Sequence, residues 1–151
     1  MDQVQILKVL EKLRQRYQTS PAVREFTLSI LGHIGQNDRE GQISVCNNWV
    51  KQAITYVNDP EGVEYVTSPL RYIEKYNNNE PLYGDCDCHS LLLASMLGSL
   101  GFITRLVGVM MDGTDEFNHV IVGVKLDHEL RLVDPCAKTK PQADYQKLLM
   151  V

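Results

Sequence analysis

The segment "YGDCDCHSLLLASMLGSLG", from Tyr83 to Gly101, decides the fold. Cys86 and Cys88 lie beside two aspartates and a histidine, and a long uncharged stretch follows them. That stretch is apolar nearly all round a helix, which is typical of a helix in the middle of a protein. Gly98 and Gly101 predict the end of this helix. The thiols and carboxylates at its start indicate a metal site, a redox pair or a thiol nucleophile.

Helical patterns precede this segment and β-rich patterns follow it. Four helices are expected before it: residues 4–18 with Asp2 as the N-cap, a helix capped by Ser20 with Pro21 first, a third through Trp49, Ala53 and Val57, and a brief one from Pro69 to about Tyr76. Three strands are expected after it, in residues 102–111, 119–126 and 129–134, and a short helix is expected in residues 141–150. Helices first and antiparallel strands last predict an α+β domain.

Composition restricts the class of protein. The 151 residues fit a single domain, and the net charge of -4 argues against a nucleic-acid surface. The basic residues Lys8, Lys12, Arg14 and Arg16 alternate with Glu11 and apolar residues, which predicts a solvated helix face. The first residues do not resemble a signal peptide, and the uncharged stretch is too short for a membrane span. Four cysteines without a secretion signal predict free thiols in a soluble cytosolic protein.

A histidine and an aspartate can complete a thiol site. A helix N-terminus favours a thiolate, so we expect the start of its helix to lower the pKa of Cys86. His119 opens one strand and Asp134 ends the next, with a tight turn at Asp127–His128 between them. Paired residues of that hairpin have numbers that sum to about 255, which puts Asp134 diagonal to His119 on the same face. The pattern predicts a nucleophile, a base and an orienting acid.

The motif "GDC" before an apolar helix, the strand-opening His119 and "LVDP" resemble the transglutaminase-like superfamily of papain-like thiol enzymes. More narrowly, residues 49–97 resemble the small transglutaminase-like proteins of bacteriophages and prophages. The resemblance covers about Trp49 to Pro135 and leaves residues 1–48 as a helical N-terminal part of one domain, 1–151. It implies a papain-like α+β fold in which a central nucleophile helix packs on an antiparallel sheet. It also implies that Cys86 is the nucleophile, His119 the general base and Asp134 the orienting acid.

The function implied is acyl transfer from an amide or peptide bond, as a phage-type peptidase or amidase. Hydrolysis is favoured over cross-linking, because water is always present and no amine site is visible. No cofactor and no metal are expected. The expected partners are a protein or peptide substrate and phage structural proteins, without nucleic acid or membrane. The expected location is the host cytoplasm, with the virion as an alternative. The rival interpretation is a non-enzymatic phage structural or assembly protein that keeps the fold.

Two other interpretations of the cysteines stay open. Zinc has enough candidate ligands in Cys86, Cys88, His89, His119 and Cys136, although C-x-C-H is tighter than the usual C-x2-4-C spacing. A redox pair is less favoured, because the redox motif is C-x-x-C. Members of the family commonly carry aspartate where this chain has Cys88. That residue is about 200° round the helix from Cys86, so we expect it to be buried and inert.

The surroundings of Cys86 give three further expectations. Asp85 and Asp87 would raise the pKa of a thiol at which they pointed, so at least one should instead accept from helix N-terminal amides. Trp49 is either an oxyanion-hole group, as in enzymatic relatives, or a core residue. The backbone N–H of Cys86 is the preferred oxyanion donor.

Overall fold

The structure, a computed structural model, describes residues 2–59, 65–111, 117–136 and 145–151. Within them the elements run in the order α1 (Gln3–Tyr17), α2 (Pro21–Leu31), α3 (Arg39–Ala53), β1 (Ile54–Tyr56), α4 (Pro69–Asn77), β2 (Leu82–Gly84), α5 (Cys86–Ser99), β3 (Thr104–Met111), β4 (Phe117–Leu126), β5 (Glu129–Val133) and β6 (Tyr145–Leu149). The α+β class with an antiparallel sheet is confirmed, as are the predicted caps Asp2 and Ser20. Ser68 caps α4.

Helix α5 is the centre of the molecule. Every one of its residues except Gly98 is buried, and it contacts α1, α2 and α3 as well as strands β3 and β4. Full burial of a leucine such as Leu91, Leu93 or Leu97 stabilises the fold by about 2 kcal/mol. The start of α5, with Cys86, is therefore held in one place. Among the described residues, no helix is both long and apolar enough to cross a membrane.

Four antiparallel strands form the main sheet in the order β5-β4-β3-β6. The β4–β5 turn is at Asp127 and His128, as predicted, and both have positive φ (51° and 69°), the backbone of a two-residue hairpin turn. Val122 pairs with Val133, which gives the predicted sum of 255. On the other side, Val109 pairs with His119 but Met110 pairs with Phe117. One extra residue, Asn118, therefore bulges out directly before His119, a device common beside active sites.

A second sheet, of two strands, positions the first turn of α5. The third helix ends at Ala53, and the chain then runs through β1, so the expectation that Val57 is helical is wrong. The β-branched residues Ile54 and Thr55 favour this change to a strand. β1 pairs in parallel with β2, with Tyr56 opposite Gly84. Because β2 ends at Gly84, this pairing places the first turn of α5 beside β1.

The C-terminal segment differs from the prediction of a helix. Residues 145–149 form β6, which pairs with β3 along the edge that β4 leaves open. The helical pattern of this segment spans only a few residues, so its helical preference is weak. Hydrogen bonding to the open edge of β3 outweighs that preference. Residues 141–144 of the predicted helix lie outside the described residues, as do residues 60–64 before α4.

One charged pair on α1 is buried rather than solvated. Glu11 and Arg14 form an ion pair of 2.7 Å, with side-chain exposures of 10% and 9%. The second carboxylate oxygen of Glu11 accepts from the backbone N–H of Leu106 at 2.6 Å. The expected solvated face of α1 is thus wrong for these two residues, because β3 packs against them.

Candidate active site

Asp85 organises the first turn of α5. As the N-cap, it accepts hydrogen bonds through Oδ1 from the backbone N–H groups of Asp87 (3.1 Å) and Cys88 (3.3 Å). This confirms that one of the flanking aspartates binds helix amides. The N–H of Cys86 takes no part in this capping, so it can serve as a donor to a ligand at the helix start.

Cys86 packs against the strand that carries His119. The backbone of Val120, the next residue in the chain after His119, lowers the pKa of the Cys86 thiol. One turn further along α5, the hydroxyl of Ser90 donates to the carbonyl of Val120 at 2.8 Å. This hydrogen bond joins α5 to the strand that carries His119. Cys86 itself is buried, with 8% of its surface exposed.

His119 and Asp134 are in direct contact. Nε2 of His119 lies 2.6 Å from Oδ2 of Asp134, so the side-chain contact that the hairpin register predicts is present. Asp134 is further fixed because its Oδ1 accepts from the backbone N–H of Cys136 at 2.8 Å. The aspartate side chain is 3% exposed and the histidine 18%. With Nε2 bound to the carboxylate, Nδ1 is the ring nitrogen available for proton transfer.

The surroundings of Cys86 disfavour its thiolate. Burial raises the pKa of Cys86 well above its usual value, and the Asp87 carboxylate raises it further. The sulfur is 3.6 Å from Oδ1 of Asp87, a contact in which the S–H group donates. The backbone of Val120 lowers this pKa but does not outweigh burial. The expectation that the helix start would lower the pKa of Cys86 is therefore wrong, because burial and Asp87 have larger effects.

Cys88 is separate from this site. It is 2% exposed, its sulfur accepts from the backbone N–H of Thr67 at 3.4 Å, and its S–H group donates to the carbonyl of Tyr65 at 3.6 Å. Burial raises the pKa of Cys88 to about 11. The expectation of a buried, unreactive thiol agrees with these contacts. All four cysteines are free thiols.

A cleft of about 510 Å³ adjoins the site. Its walls include Lys51 from α3, Tyr56 from β1, His89 from α5 and Cys136 after β5. Burial, and to a smaller extent Cys86 and Cys136, raise the pKa of Tyr56. Burial and Asp134 likewise raise the pKa of Cys136. Because the backbone of Cys136 donates to Asp134, the cleft lies next to the His119–Asp134 pair.

Trp49 belongs to a cluster of aromatic rings away from this cleft. Its ring meets that of Phe26 edge-on, with centroids 5.0 Å apart, and that of Tyr76 at 5.4 Å. Such contacts stabilise a core. Trp49 is thus packed against the core, as one of its two expected roles requires.

The residues considered as zinc ligands do not form one group. His89 is bound to two backbone carbonyl oxygens and Cys88 to backbone atoms of the segment before α4. Within the described ranges, no three His, Cys, Asp or Glu side chains are placed to hold a metal ion.

Comparisons with known proteins show the fold. The sequence matches no protein-family model, and no curated protein matches it. The structure is similar to one from Cytophaga hutchinsonii described as a putative cysteine protease, with a TM-score of 0.64, 15% sequence identity and 86% of this chain covered. A structure from Parabacteroides distasonis described as a putative protease gives a TM-score of 0.60, 14% identity and 83% coverage. This chain spans 42% and 25% of those two chains.

Proposed function

We propose that this protein is a cysteine-dependent acyl-transfer enzyme that hydrolyses amide or peptide bonds, with Cys86, His119 and Asp134 as its catalytic residues. The observation that carries the proposal is the 2.6 Å hydrogen bond between His119 and Asp134 on the β4–β5 hairpin. Strand β4 of that hairpin packs against α5, the helix that begins at Cys86. Nucleophilic catalysis by a thiol requires a base that a third group orients, and the buried carboxylate of Asp134 orients His119.

The proposed reaction begins with a proton transfer. Nδ1 of His119 takes the thiol proton as the sulfur of Cys86 attacks the carbonyl carbon, and the carbonyl oxygen becomes an oxyanion. The backbone N–H of Cys86 is the donor for this oxygen. His119 then gives the proton to the amine nitrogen, the C–N bond breaks, and an amine leaves a thioester on Cys86. Asp134 stabilises the imidazolium that exists between these steps.

Deacylation uses water. His119 accepts a proton from water as the water oxygen attacks the thioester carbon, and returning that proton to sulfur releases a carboxylic acid and the thiol. An amine in place of water would give cross-linking instead. We favour hydrolysis, because water reaches any open site whereas an acceptor amine needs a binding site of its own.

The sequence resemblance supports a setting in bacteriophage biology. On that basis the substrate is a protein or peptide, phage structural proteins are the partners, and the enzyme acts in the host cytoplasm or in the virion. A second candidate function is a phage structural or assembly protein that keeps the fold without turnover. The burial of Cys86 and the raised pKa of its thiol are the observations that favour this second candidate.

Cleavage of a mixed peptide library, read as new termini by mass spectrometry, tests the proposal. The wild type should produce new termini, Cys86→Ala should produce none, and Cys88→Ala should behave as the wild type if it folds. Cleavage that persists in Cys86→Ala contradicts the assignment of the nucleophile. A folded wild type that leaves both the peptide library and a set of simple amides intact favours the structural role.

A further inference from the structure

His89, in the first turn of α5, makes two hydrogen bonds that a neutral imidazole cannot make together. Its Nδ1 lies 2.7 Å from the carbonyl oxygen of Asp85, and its Nε2 lies 3.2 Å from the carbonyl oxygen of Ile54. The residue is 2% exposed. Nothing in the proposed reaction uses this ring, although it lies three residues after Cys86.

The chemistry of the two partners determines the protonation state. A backbone carbonyl oxygen only accepts hydrogen bonds, and a neutral imidazole has one N–H donor. In the neutral ring, one nitrogen would present its lone pair to a carbonyl oxygen in a buried place, which is unfavourable. The imidazolium has a donor at each nitrogen and satisfies both contacts.

The groups around the ring come from four segments. Asp85 and Asp87 are the carboxyl groups in its own turn of α5, and they favour a positive charge. Tyr56 of β1 lies against the ring, with centroids 5.8 Å apart and planes at 34°. Lys51 of α3 and Cys136 after β5 share the cleft wall with His89. Burial and the Lys51 charge oppose the imidazolium, and the two carbonyls and two carboxyls support it.

We propose that His89 is a positioning residue held as an imidazolium, which joins the first turn of α5 to β1 and places a fixed positive charge in the turn that carries Cys86. This charge offsets Asp85 and Asp87 when Cys86 transfers its proton to His119, and so makes the thiolate easier to form. The catalytic part of this inference rests on the proposed function, but the protonation state does not.

The protonation state can be measured on the wild-type protein. Histidine nitrogen NMR over roughly pH 6 to pH 8, the range in which an ordinary imidazole titrates, should show both ring nitrogens of His89 protonated throughout. His33 and His128 are exposed and serve as references for a ring in water. A spectrum with one unprotonated ring nitrogen in His89 at pH 7 would overturn the proposal, whatever the reactivity of Cys86.

Variants test what the charge does. His89→Gln removes it and should slow alkylation of Cys86 by iodoacetamide at pH 7 about tenfold, the effect of a charge at a partly buried site. His89→Lys restores a charged donor and should recover most of that rate, whereas His33→Gln should change nothing. Equal loss in the Gln and Lys variants, both folded, contradicts the charge role. A doubly protonated His89 beside a Cys86 that no electrophile or peptide reaches would leave this inference standing and overturn the proposed function.

Discussion

The Asp87 carboxylate lies 3.6 Å from the sulfur of Cys86 and, after burial, has the largest effect on its pKa. Asp87→Asn should therefore lower the pKa of Cys86, because a neutral amide no longer disfavours the thiolate. At pH 8 the thiolate fraction, and with it the rate of alkylation by iodoacetamide, should rise several-fold. Asp38→Asn, at the exposed N-cap of α3, is the matched control and should leave the rate unchanged. A rate that falls in Asp87→Asn would show that this carboxylate helps to form the thiolate.

Asp85 gives a prediction for stability. Burial, and a smaller effect of Asp59, raise the pKa of Asp85 from 3.8 to about 6. The folded protein thus binds this proton more tightly than the unfolded chain does. The resulting stabilisation is complete below pH 3.8 and is lost as the pH rises through about 6.

Asp85→Asn removes this dependence on pH while asparagine still caps the helix. Relative to the wild type, the variant should gain stability at pH 7, by about 1 kcal/mol because Asp85 is only half-buried and solvent screens it. The gain in stability should disappear below pH 3.8, where the carboxyl group of Asp85 is protonated in both the folded and the unfolded protein. Urea unfolding at pH 7 and below pH 3.8 measures this difference. A variant that is less stable than the wild type at pH 7 would show that the charge of the cap matters more than its burial.

The Glu11 carboxylate joins α1 to β3 through the N–H of Leu106 and also accepts from Arg14. Glu11→Ala removes the carboxylate that pairs with Arg14 and leaves the N–H of Leu106 without this acceptor, so it should reduce the free energy of unfolding by about 3 kcal/mol. Glu40→Ala is the control, because Glu40 pairs with Arg131 at the surface and should cost less than about 1 kcal/mol. Urea denaturation of both variants makes the comparison. Similar losses in the two would mean that the buried pair contributes no more than an exposed one.

Elements with a strong local pattern could be predicted from the sequence. Helix α5 could be predicted because it is apolar all round. The β4–β5 hairpin could be predicted because two residues, Asp127 and His128, form its turn with positive φ, and counting residues outward from that turn gives the register of the two strands. The strands β1 and β6 could not be predicted, because each exists through pairing with a distant segment, β2 in one case and β3 in the other. Short segments take the structure that their neighbours offer.

Only some features of the candidate site could be predicted from the sequence. The contact between His119 and Asp134 is one of them, because it follows from the alternation of side chains along each strand and from the register of the hairpin. The raised pKa of Cys86 depends on how much protein covers the sulfur and where Asp87 points, which spacing does not determine. The sequence offered His89 only as a candidate zinc ligand, because its contact with the carbonyl of Ile54, 35 positions earlier in the chain, depends on the fold.

At the scale of the whole molecule, the fold is shared with larger proteins. The two similar structures have chains of which this one spans 42% and 25%, so the arrangement of central helix and sheet occurs there beside other parts. At 15% and 14% identity the likeness concerns the fold, and the chemistry has to be tested on this chain.

The central claim is that His119, oriented by Asp134, takes the proton of Cys86. The most direct measurement is the rate of iodoacetamide labelling of Cys86 against pH, mapped by peptide mass spectrometry, in the wild type, His119→Ala and Asp134→Asn. In the wild type, labelling of Cys86 should begin at a lower pH than in either variant, because only the wild type has both the base and the carboxylate that orients it, and the folded structure should persist in all of them. His33→Ala, at an exposed site, should leave the profile in place. A Cys86 labelling profile that is the same in all four folded proteins would show that His119 does not take the proton of Cys86.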